Sequence, residues 1–255
     1  MGSTGKSTSG NEFGLINSAS GGGEYQELYR DTLTPENGSD EPVLRWFNDT
    51  ANSNLDSWTS NLSPDEKHAI SRYTGQGYQQ INTYQYTTPW EKMGNQAYRD
   101  LIMNLHNGLN KFELNKGIVV DRACDFQIFG ANRKDLMSVD QVKDFLSKSN
   151  GVVQNDGFMS FSANRGGEGI EGRGLLIHLR VPPSTGAGAY VDHMSQNDGE
   201  REFILNNNAV LRFDPKSVYE DKVGRIHINA DWLGRARAQT ISKTNKSALR
   251  KNNGK

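Results

Sequence analysis

The apolar residues of this 255-residue chain change their spacing near its middle. Between about 63 and 111 they recur at the three- and four-residue intervals that place side chains on one face of a helix. From Ile118 onward they stand in short runs, many of them β-branched or aromatic, which is typical of strands. Helices first and many short strands afterwards indicate an α+β fold.

Local signals give approximate bounds for these elements. Ser63-Pro64-Asp65-Glu66 predicts a helix start, because serine caps, proline takes the first position and Glu66 closes a capping box. That helix is predicted to reach Thr74 and to stop at Gly75. Short helices are predicted within 25–62, a longer helix at about 95–111 and another from Ser138. Strands are predicted at 118–122, 157–162, 175–181, 189–191, 201–205, 209–213 and 224–228.

Composition excludes several classes of function. The net charge is −1, which gives no overall electrostatic reason to expect a nucleic-acid or membrane partner. A single cysteine, Cys124, excludes an internal disulfide and a cysteine-based zinc site. No metal is predicted, because no paired ligand spacing links the histidines, which are His68, His106, His178, His193 and His227.

The ends of the chain differ from its middle. Residues 1–24 are dominated by Gly, Ser, Thr and Asn and are predicted to be a flexible segment, and 25–233 a single domain. Residues 234–255 hold basic and no acidic side chains and are predicted to be a disordered tail, Arg235 included; contact with nucleic acid or an acidic partner is the alternative.

Targeting signals are missing from the sequence. It has no run of roughly 20 apolar residues, as a membrane helix needs, and its first residues lack the apolar core of a signal peptide. We therefore expect a protein without a membrane partner. It is expected to be cytoplasmic, virion-associated or secreted into a host cell by a signal-less route.

Two carboxylates, Glu200 and Glu202, stand two residues apart at the start of an apolar strand. Because side chains alternate along a strand, both are predicted to point the same way, with Arg201 and Phe203 on the other face. Two like charges this close are expected to raise one carboxyl pKa. Ordinary solvated acids at an exposed strand start are the alternative.

Two further pieces precede this pair in a fixed order. Arg122 ends a short β-run, and Ser160-Phe161-Ser162 follows on a later strand. With these three pieces in order, the chain resembles the mono-ADP-ribosyltransferases of the Arg/Ser-Thr-Ser/Glu-x-Glu group. That group includes the enzymatic components of binary actin-modifying toxins, and the Rho-modifying clostridial exoenzymes share the layout. The resemblance covers about 55–233 and includes the pattern Tyr73-Thr74…Tyr78…Ile81-Asn82.

The resemblance implies an α+β fold in which a helical N-terminal half packs on two crossed antiparallel sheets, with NAD as substrate in a cleft between them. It implies transfer of ADP-ribose to an arginine of a target protein, by a bacterial or phage toxin or effector, with a delivery or carrier protein as a further partner. Arg122, Ser160, Glu200 and Glu202 are the implied catalytic residues. The implied NAD-binding residues are Arg122, Arg173, Ser160, Ser162, Tyr78 and Asn82.

The chemistry of NAD cleavage needs these residue types. A guanidinium such as that of Arg122 suits a pyrophosphate. Breaking the nicotinamide bond makes an oxocarbenium-like ribosyl cation, which a nearby carboxylate stabilises. By resemblance that carboxylate is Glu202, held by Ser160, while Glu200 orients and helps deprotonate the acceptor guanidinium.

The chain also departs from the family pattern. Phe161 takes the middle place of Ser-Thr-Ser, Asn197 stands where the family often has an aromatic residue, and 163–172 lack the phenylalanine that the family often carries there. Two alternatives stay open: a non-catalytic domain that binds a nucleotide or partner, which Phe161 and Asn197 support, and a transferase acting on nucleic acid, which only the basic tail supports.

Overall fold

The structure is a computed structural model that describes residues 15–16, 25–28, 42–88, 92–129, 137–164, 174–197 and 199–236. Helices dominate the part of the chain before Gly117, as the spacing of apolar residues predicts. They are α1 (Pro42–Asn48), α2 (Leu55–Asn61), α3 (Pro64–Arg72), α4 (Tyr78–Thr87), α5 (Gln96–Asn110) and, between strands, α6 (Val139–Lys148).

The capping box predicted at Ser63 is present, and a second capping box begins the helix predicted from Ser138. At the start of α3 the Ser63 hydroxyl accepts from the Glu66 amide, and the Glu66 carboxylate accepts from the Ser63 amide at 2.8 Å. Ser138 and Gln141 make the same reciprocal pair at the start of α6. Each box satisfies two helix amides that have no partner within the helix, which fixes where the helix begins.

The predicted stop at Gly75 is a kink. α3 passes into a π-helical turn, Tyr73–Gly77, and α4 follows at once. Gly75 leaves helical geometry there, with φ −89° and ψ −139°. The glycine therefore bends two consecutive helices against each other, and the chain continues as helix beyond it.

The strands carry the second half of the fold. All seven predicted strand regions are strands, six further strands among the described residues were not predicted, and the last strand is longer than predicted. The strands are β1 (Leu15–Ile16), β2 (Tyr25–Glu27), β3 (Glu113–Leu114), β4 (Gly117–Cys124), β5 (Val152–Asn155), β6 (Met159–Ser162), β7 (Leu175–Val181), β8 (Ser184–Thr185), β9 (Gly188–Tyr190), β10 (Glu202–Leu205), β11 (Ala209–Phe213), β12 (Tyr219–Glu220) and β13 (Ile226–Ala236).

The main sheet consists of two blocks joined by one residue pair. Strands pair in the order β5-β11-β13-β7-β4 and then β6-β10-β9, and Asp121–Ser162 is the pair between β4 and β6. Pairing is mixed rather than wholly antiparallel, because β13 runs parallel to β7 and β2 runs parallel to β4. The α+β class is confirmed, and the junction of the two blocks brings the Arg122 and Ser160 strands side by side.

The core lies between the helices and the sheet. The ring of Phe47 on α1 stacks on Tyr190 of β9 with centroids 4.3 Å apart. Trp58 of α2 packs edge-on against Phe112, and its indole N–H donates to the Gly108 carbonyl at 2.7 Å. Buried aromatic side chains of this size contribute most to core stability. They fix the helical layer against β9, which precedes Glu200 in the chain, and against β10, which begins at Glu202.

The structure places several residues of the predicted terminal segments in strands. β13 runs to Ala236, beyond the predicted boundary at 233, and β1, within the predicted flexible segment, pairs with Arg235 and Ala236. Arg235 is buried (3% exposed) and donates to the Asn207 carbonyl at 2.9 Å, so it belongs to the folded sheet and not to a mobile tail. The rest of the basic tail lies outside the described residues, and the division into three segments stays a prediction. In the described part of the chain, no helix is long and apolar enough to span a membrane.

Candidate active site

Glu202 is the first residue of β10, in the block that β10 forms with β6. The register pairs Glu202 with Ser162 and Ile204 with Ser160. Side chains of directly paired residues lie on the same face of a sheet. The serines and Glu202 therefore share a face, whereas Phe161, which is 3% exposed, packs into the core on the other face as alternation predicts.

The Glu202 carboxyl group is buried, with the residue 5% exposed, and its pKa is raised to about 7. Burial is the main cause, because a charged carboxylate loses its hydration there. The negative charges of Glu200 and Asp192 raise the pKa further, while the hydrogen bond from Ser160 and the charge of Arg122 lower it. The predicted rise in one carboxyl pKa is confirmed, and burial contributes more to it than the like charge does.

One oxygen of this carboxyl group lacks a hydrogen-bond partner in the described part of the chain. Oε2 of Glu202 is buried and unpartnered among the described residues. Buried polar atoms in folded proteins are nearly always hydrogen-bonded, so such an atom calls for an explanation. A hydroxyl group of a ligand bound here would supply the missing hydrogen bond.

Arg122 lies on β4 at the junction of the two blocks. Its Nη1 donates to the Ser160 carbonyl at 2.5 Å, and its guanidinium carbon lies 6.0 Å from the centroid of the Phe161 ring. Asp121, its neighbour in the chain, contacts His178: Oδ1 of Asp121 lies 2.8 Å from Nδ1 of His178. Arg122 is half-buried and fixed beside the serine strand, so that its charge acts on the Glu202 carboxyl group.

Glu200 is not part of the strand, which corrects the prediction that alternation orients both glutamates. Gly199 and Arg201 have φ values of +89° and +51°, a left-handed turn that ends just before β10 begins. Such a value is uncommon for a non-glycine residue such as Arg201. Glu200 is consequently exposed, yet it remains close enough to Glu202 to raise the pKa of that carboxyl group.

Asp192, which the sequence analysis did not single out, holds this turn together. It is buried, and its carboxylate oxygens accept from the amides of Gly199 and Glu202, each at 3.3 Å. The Ser162 hydroxyl donates to the Glu200 carbonyl at 3.2 Å. No capping pattern or periodicity marks Asp192, since its contacts run to residues up to ten positions later in the chain.

The helical side of the site is formed by α4 and the π turn. The Asn82 amide group donates to the Tyr73 hydroxyl and the Phe158 carbonyl and accepts from the Phe158 amide. Its two N–H hydrogen bonds therefore join the π turn, at Tyr73, to Phe158, the residue before β6. A Cβ on Gly157 would lie 2.8 Å from Oδ1 of Asn82, so glycine permits this close approach.

The structure brings together most of the predicted site residues. Arg122, Ser160, Ser162, Glu200 and Glu202 surround the junction of β4, β6 and β10. Asn82 borders them through its hydrogen bonds to Phe158, and its NAD-binding role stays a prediction. Tyr78 is 45% exposed, with its ring 6.5 Å from that of Tyr73. Arg173 lies outside the described residues, so its place as a second phosphate contact stays a prediction.

Comparison with known proteins identifies the family of this chain. The family model described as ADP-ribosyltransferase exoenzyme matches residues 48–235. The NAD(+)–arginine ADP-ribosyltransferase EFV of Enterococcus faecalis is 24% identical over 189 residues, which are 72% of this chain and 36% of that protein. The chain thus spans about a third of the length of this curated relative.

Solved structures share the fold. Plx2a, an ADP-ribosyltransferase toxin from Paenibacillus larvae, aligns with a TM-score of 0.63 at 23% identity over 75% of this chain and 95% of its own. C3stau2 from S. aureus, solved with NAD, aligns with a TM-score of 0.64 at 17% identity over 84% of this chain and all of its own. The family match covers most of the chain and includes Arg122, Ser160, Glu200 and Glu202. The chain therefore belongs to the ADP-ribosyltransferase exoenzyme family, whose substrate is NAD.

Proposed function

We propose that this chain is the catalytic domain of a mono-ADP-ribosyltransferase that transfers ADP-ribose from NAD to an arginine side chain of a target protein and releases nicotinamide. The observation that carries the proposal is the buried Glu202 carboxyl group, held beside Ser160 and Arg122 with one oxygen unpartnered. A carboxylate in such surroundings interacts strongly with a cation, because little water is present to screen its charge.

The reaction breaks the bond between the anomeric carbon of the nicotinamide ribose and the ring nitrogen. The bonding electron pair leaves with nicotinamide, and the ribose becomes oxocarbenium-like. Glu202 is positioned to stabilise that cation, and the Ser160 hydroxyl keeps its carboxyl group in place. Arg122 supplies a fixed positive charge for the pyrophosphate.

The acceptor step needs a base outside the buried pocket. A guanidinium nitrogen attacks the anomeric carbon, the new carbon–nitrogen bond forms, and the nitrogen loses a proton. Glu200 is exposed and lies on the loop before β10, where an incoming side chain reaches it without being buried. We assign it the role of orienting the guanidinium and receiving the proton. The name of the Enterococcus faecalis relative, an arginine ADP-ribosyltransferase, supports the same acceptor.

A toxin or effector role fits the same evidence. Plx2a is described as an ADP-ribosyltransferase toxin and BECa as the ADP-ribosylating component of a binary enterotoxin of C. perfringens. BECa aligns over 75% of this chain but only 48% of its own. We propose that this chain likewise modifies a host protein, with delivery supplied by another protein.

The test uses the full chain with NAD labelled in the adenylate part and three small acceptors: agmatine, which carries a guanidinium, an asparagine peptide and a single-stranded oligonucleotide. We expect labelled ADP-ribosyl-agmatine together with free nicotinamide. Label on the asparagine peptide or the oligonucleotide instead would overturn the arginine assignment. A chain that neither releases nicotinamide nor labels any acceptor would support a non-catalytic nucleotide-binding role.

A further inference from the structure

The loop that carries Glu200 is attached to the helical half of the molecule at the π turn. Thr74 is 5% exposed within that turn, and its hydroxyl donates to the Ser71 carbonyl at 2.9 Å. The same hydroxyl accepts from the Gln196 amide at 3.0 Å, and the Thr74 carbonyl accepts from Nδ2 of Asn197 at 3.0 Å. One threonine therefore contacts two consecutive residues of the loop, more than 120 positions away in the sequence.

The kink at Gly75 makes room for this attachment. A Cβ at Gly75 would lie 2.7 Å from Cδ of Gln196, which shows that the glutamine side chain lies directly on the glycine backbone. Nε2 of Gln196 also lies 3.4 Å from the Ser71 hydroxyl. Single-turn π-helical segments within α-helices are frequent at functional sites, since they free backbone groups for other partners. Here the Thr74 carbonyl has such a partner in Asn197.

The loop is thus held on both sides of Glu200. Before Glu200, Gln196 and Asn197 are bound to Thr74. After it, the Asp192 carboxylate binds the Glu202 amide, and the Ser162 hydroxyl binds the Glu200 carbonyl. Glu200 itself is exposed and lies outside any strand, so its position depends on these contacts rather than on the pairing of the sheet.

We propose that Thr74 is a positioning residue for Glu200: by binding Gln196 and Asn197 it fixes the loop, so that the acceptor nitrogen meets the Glu200 carboxylate beside the ribosyl cation. This inference rests on the proposed function and deepens it. Thr74 contributes to acceptor use and leaves NAD cleavage unaffected, because Glu202, Ser160 and Arg122 are held by β4, β6 and β10. It also assigns a use to Asn197, which stands where the family often has an aromatic residue.

The experiment compares the full chain with Thr74→Val and Asn197→Ala. Thr74→Val keeps the shape of the side chain but removes its hydroxyl group. Asn197→Ala removes the donor to the Thr74 carbonyl from the exposed loop side and changes no residue of the helices. Thr87→Val, at the end of α4, is the matched control. The Thr87 hydroxyl likewise donates to a helix carbonyl, that of Thr83, and among the described residues its other hydrogen-bond contact is Thr88. Each protein is assayed for nicotinamide release without acceptor and for transfer to agmatine over a range of agmatine concentrations.

We expect kcat/KM for agmatine to fall about tenfold in Thr74→Val and Asn197→Ala, the loss that corresponds to one or two hydrogen bonds. Nicotinamide release should stay within about twofold of the wild type, and Thr87→Val should change neither activity. An equal fall of both activities, or unchanged transfer, would overturn the positioning role while leaving the proposed function in place.

Outcomes for the wild type separate the two proposals. If the wild type cleaves NAD but prefers another acceptor, the arginine assignment fails, and the ratio of transfer to hydrolysis with that acceptor decides the role of Thr74. If the wild type shows neither activity, the proposed function is overturned, and this inference with it.

Discussion

The two glutamates of the site stand two residues apart and occupy opposite surroundings. Glu202 begins a strand, is 5% exposed, and has its backbone paired with Ser162. Glu200 is exposed, precedes the strand, and follows Gly199 in a left-handed turn. The Glu202 carboxyl group is buried at the sheet and loses its hydration. The Glu200 carboxyl group stays exposed to solvent, on a loop that contacts from distant parts of the chain hold in place. This difference suits one residue to a buried cation and the other to an incoming acceptor.

The largest effect expected from this difference is on the chemistry itself. Glu202→Gln keeps the shape of the side chain but removes the charge that stabilises the ribosyl cation, so nicotinamide release and transfer should both fall about 1000-fold. Nicotinamide release measured by chromatography checks the first activity and labelled agmatine the second. Loss of one activity with retention of the other would show that Glu202 does not act on the cleavage step.

The same substitution should make the protein more stable at high pH. The pKa of Glu202 is raised from 4.5 to about 7 on folding, so its ionisation opposes folding. That cost is absent below pH 4.5, grows as the pH rises to 7 and is constant above it. Glu202→Gln should therefore gain about 2.5 kcal/mol over the wild type at pH 8 relative to pH 5. Urea unfolding at the two pH values measures the difference, and a gain that is equal at both would contradict the buried-carboxyl account.

Substitution of Arg122 tests the part of the site that the sheet holds in place. Arg122→Lys keeps the charge but loses the planar fork that binds phosphate oxygens in pairs, so KM for NAD should rise about tenfold. Arg212→Lys, an exposed arginine on β11, is the matched control and should leave KM unchanged. Steady-state rates of nicotinamide release give both values. An unchanged KM in Arg122→Lys would remove Arg122 from the pyrophosphate site.

The smallest expected effect is on the pH dependence of cleavage. Because the reaction needs ionised Glu202, kcat/KM for NAD hydrolysis should rise with pH to a plateau, with a midpoint near the raised pKa of about 7. The charge of Glu200 contributes to that rise, so Glu200→Gln should move the midpoint to lower pH. Glu220→Gln, at an exposed position of β12, should leave it in place. A midpoint that moves upward in Glu200→Gln would exclude repulsion between the two carboxylates.

Features set by neighbouring residues were predictable from the sequence. The capping boxes at Ser63 and Ser138 depend on residues three positions apart, and both are formed. Strands such as β4 and β7 follow from short apolar runs, which pack as strands wherever a core is available. The approach of Arg122, Ser160 and Glu202 followed from the order of motifs in the family that the chain resembles.

Features set by distant contacts were not predictable in this way. Alternation of side chains along a strand did not predict the orientation of Glu200. Asp192 lies ten residues before Glu202 and binds the turn at Gly199, so the strand begins at Glu202, two residues after Glu200. The stop predicted at Gly75 is a kink against which Gln196 packs. Arg235 was assigned to a mobile tail on charge alone, although β13 continues through it and Asn207 binds its side chain.

The most direct test of the separate roles of Glu200 and Glu202 is the ratio of ADP-ribose transfer to NAD hydrolysis in Glu200→Gln. The full chain is incubated with labelled NAD and agmatine, and both ADP-ribosyl-agmatine and free ADP-ribose are quantified in the same reaction. The account predicts that the ratio falls about 100-fold, with nicotinamide release kept within about threefold of the wild type, because the lost group is a base for the acceptor alone. A parallel loss of both products, as expected for Glu202→Gln, would contradict it.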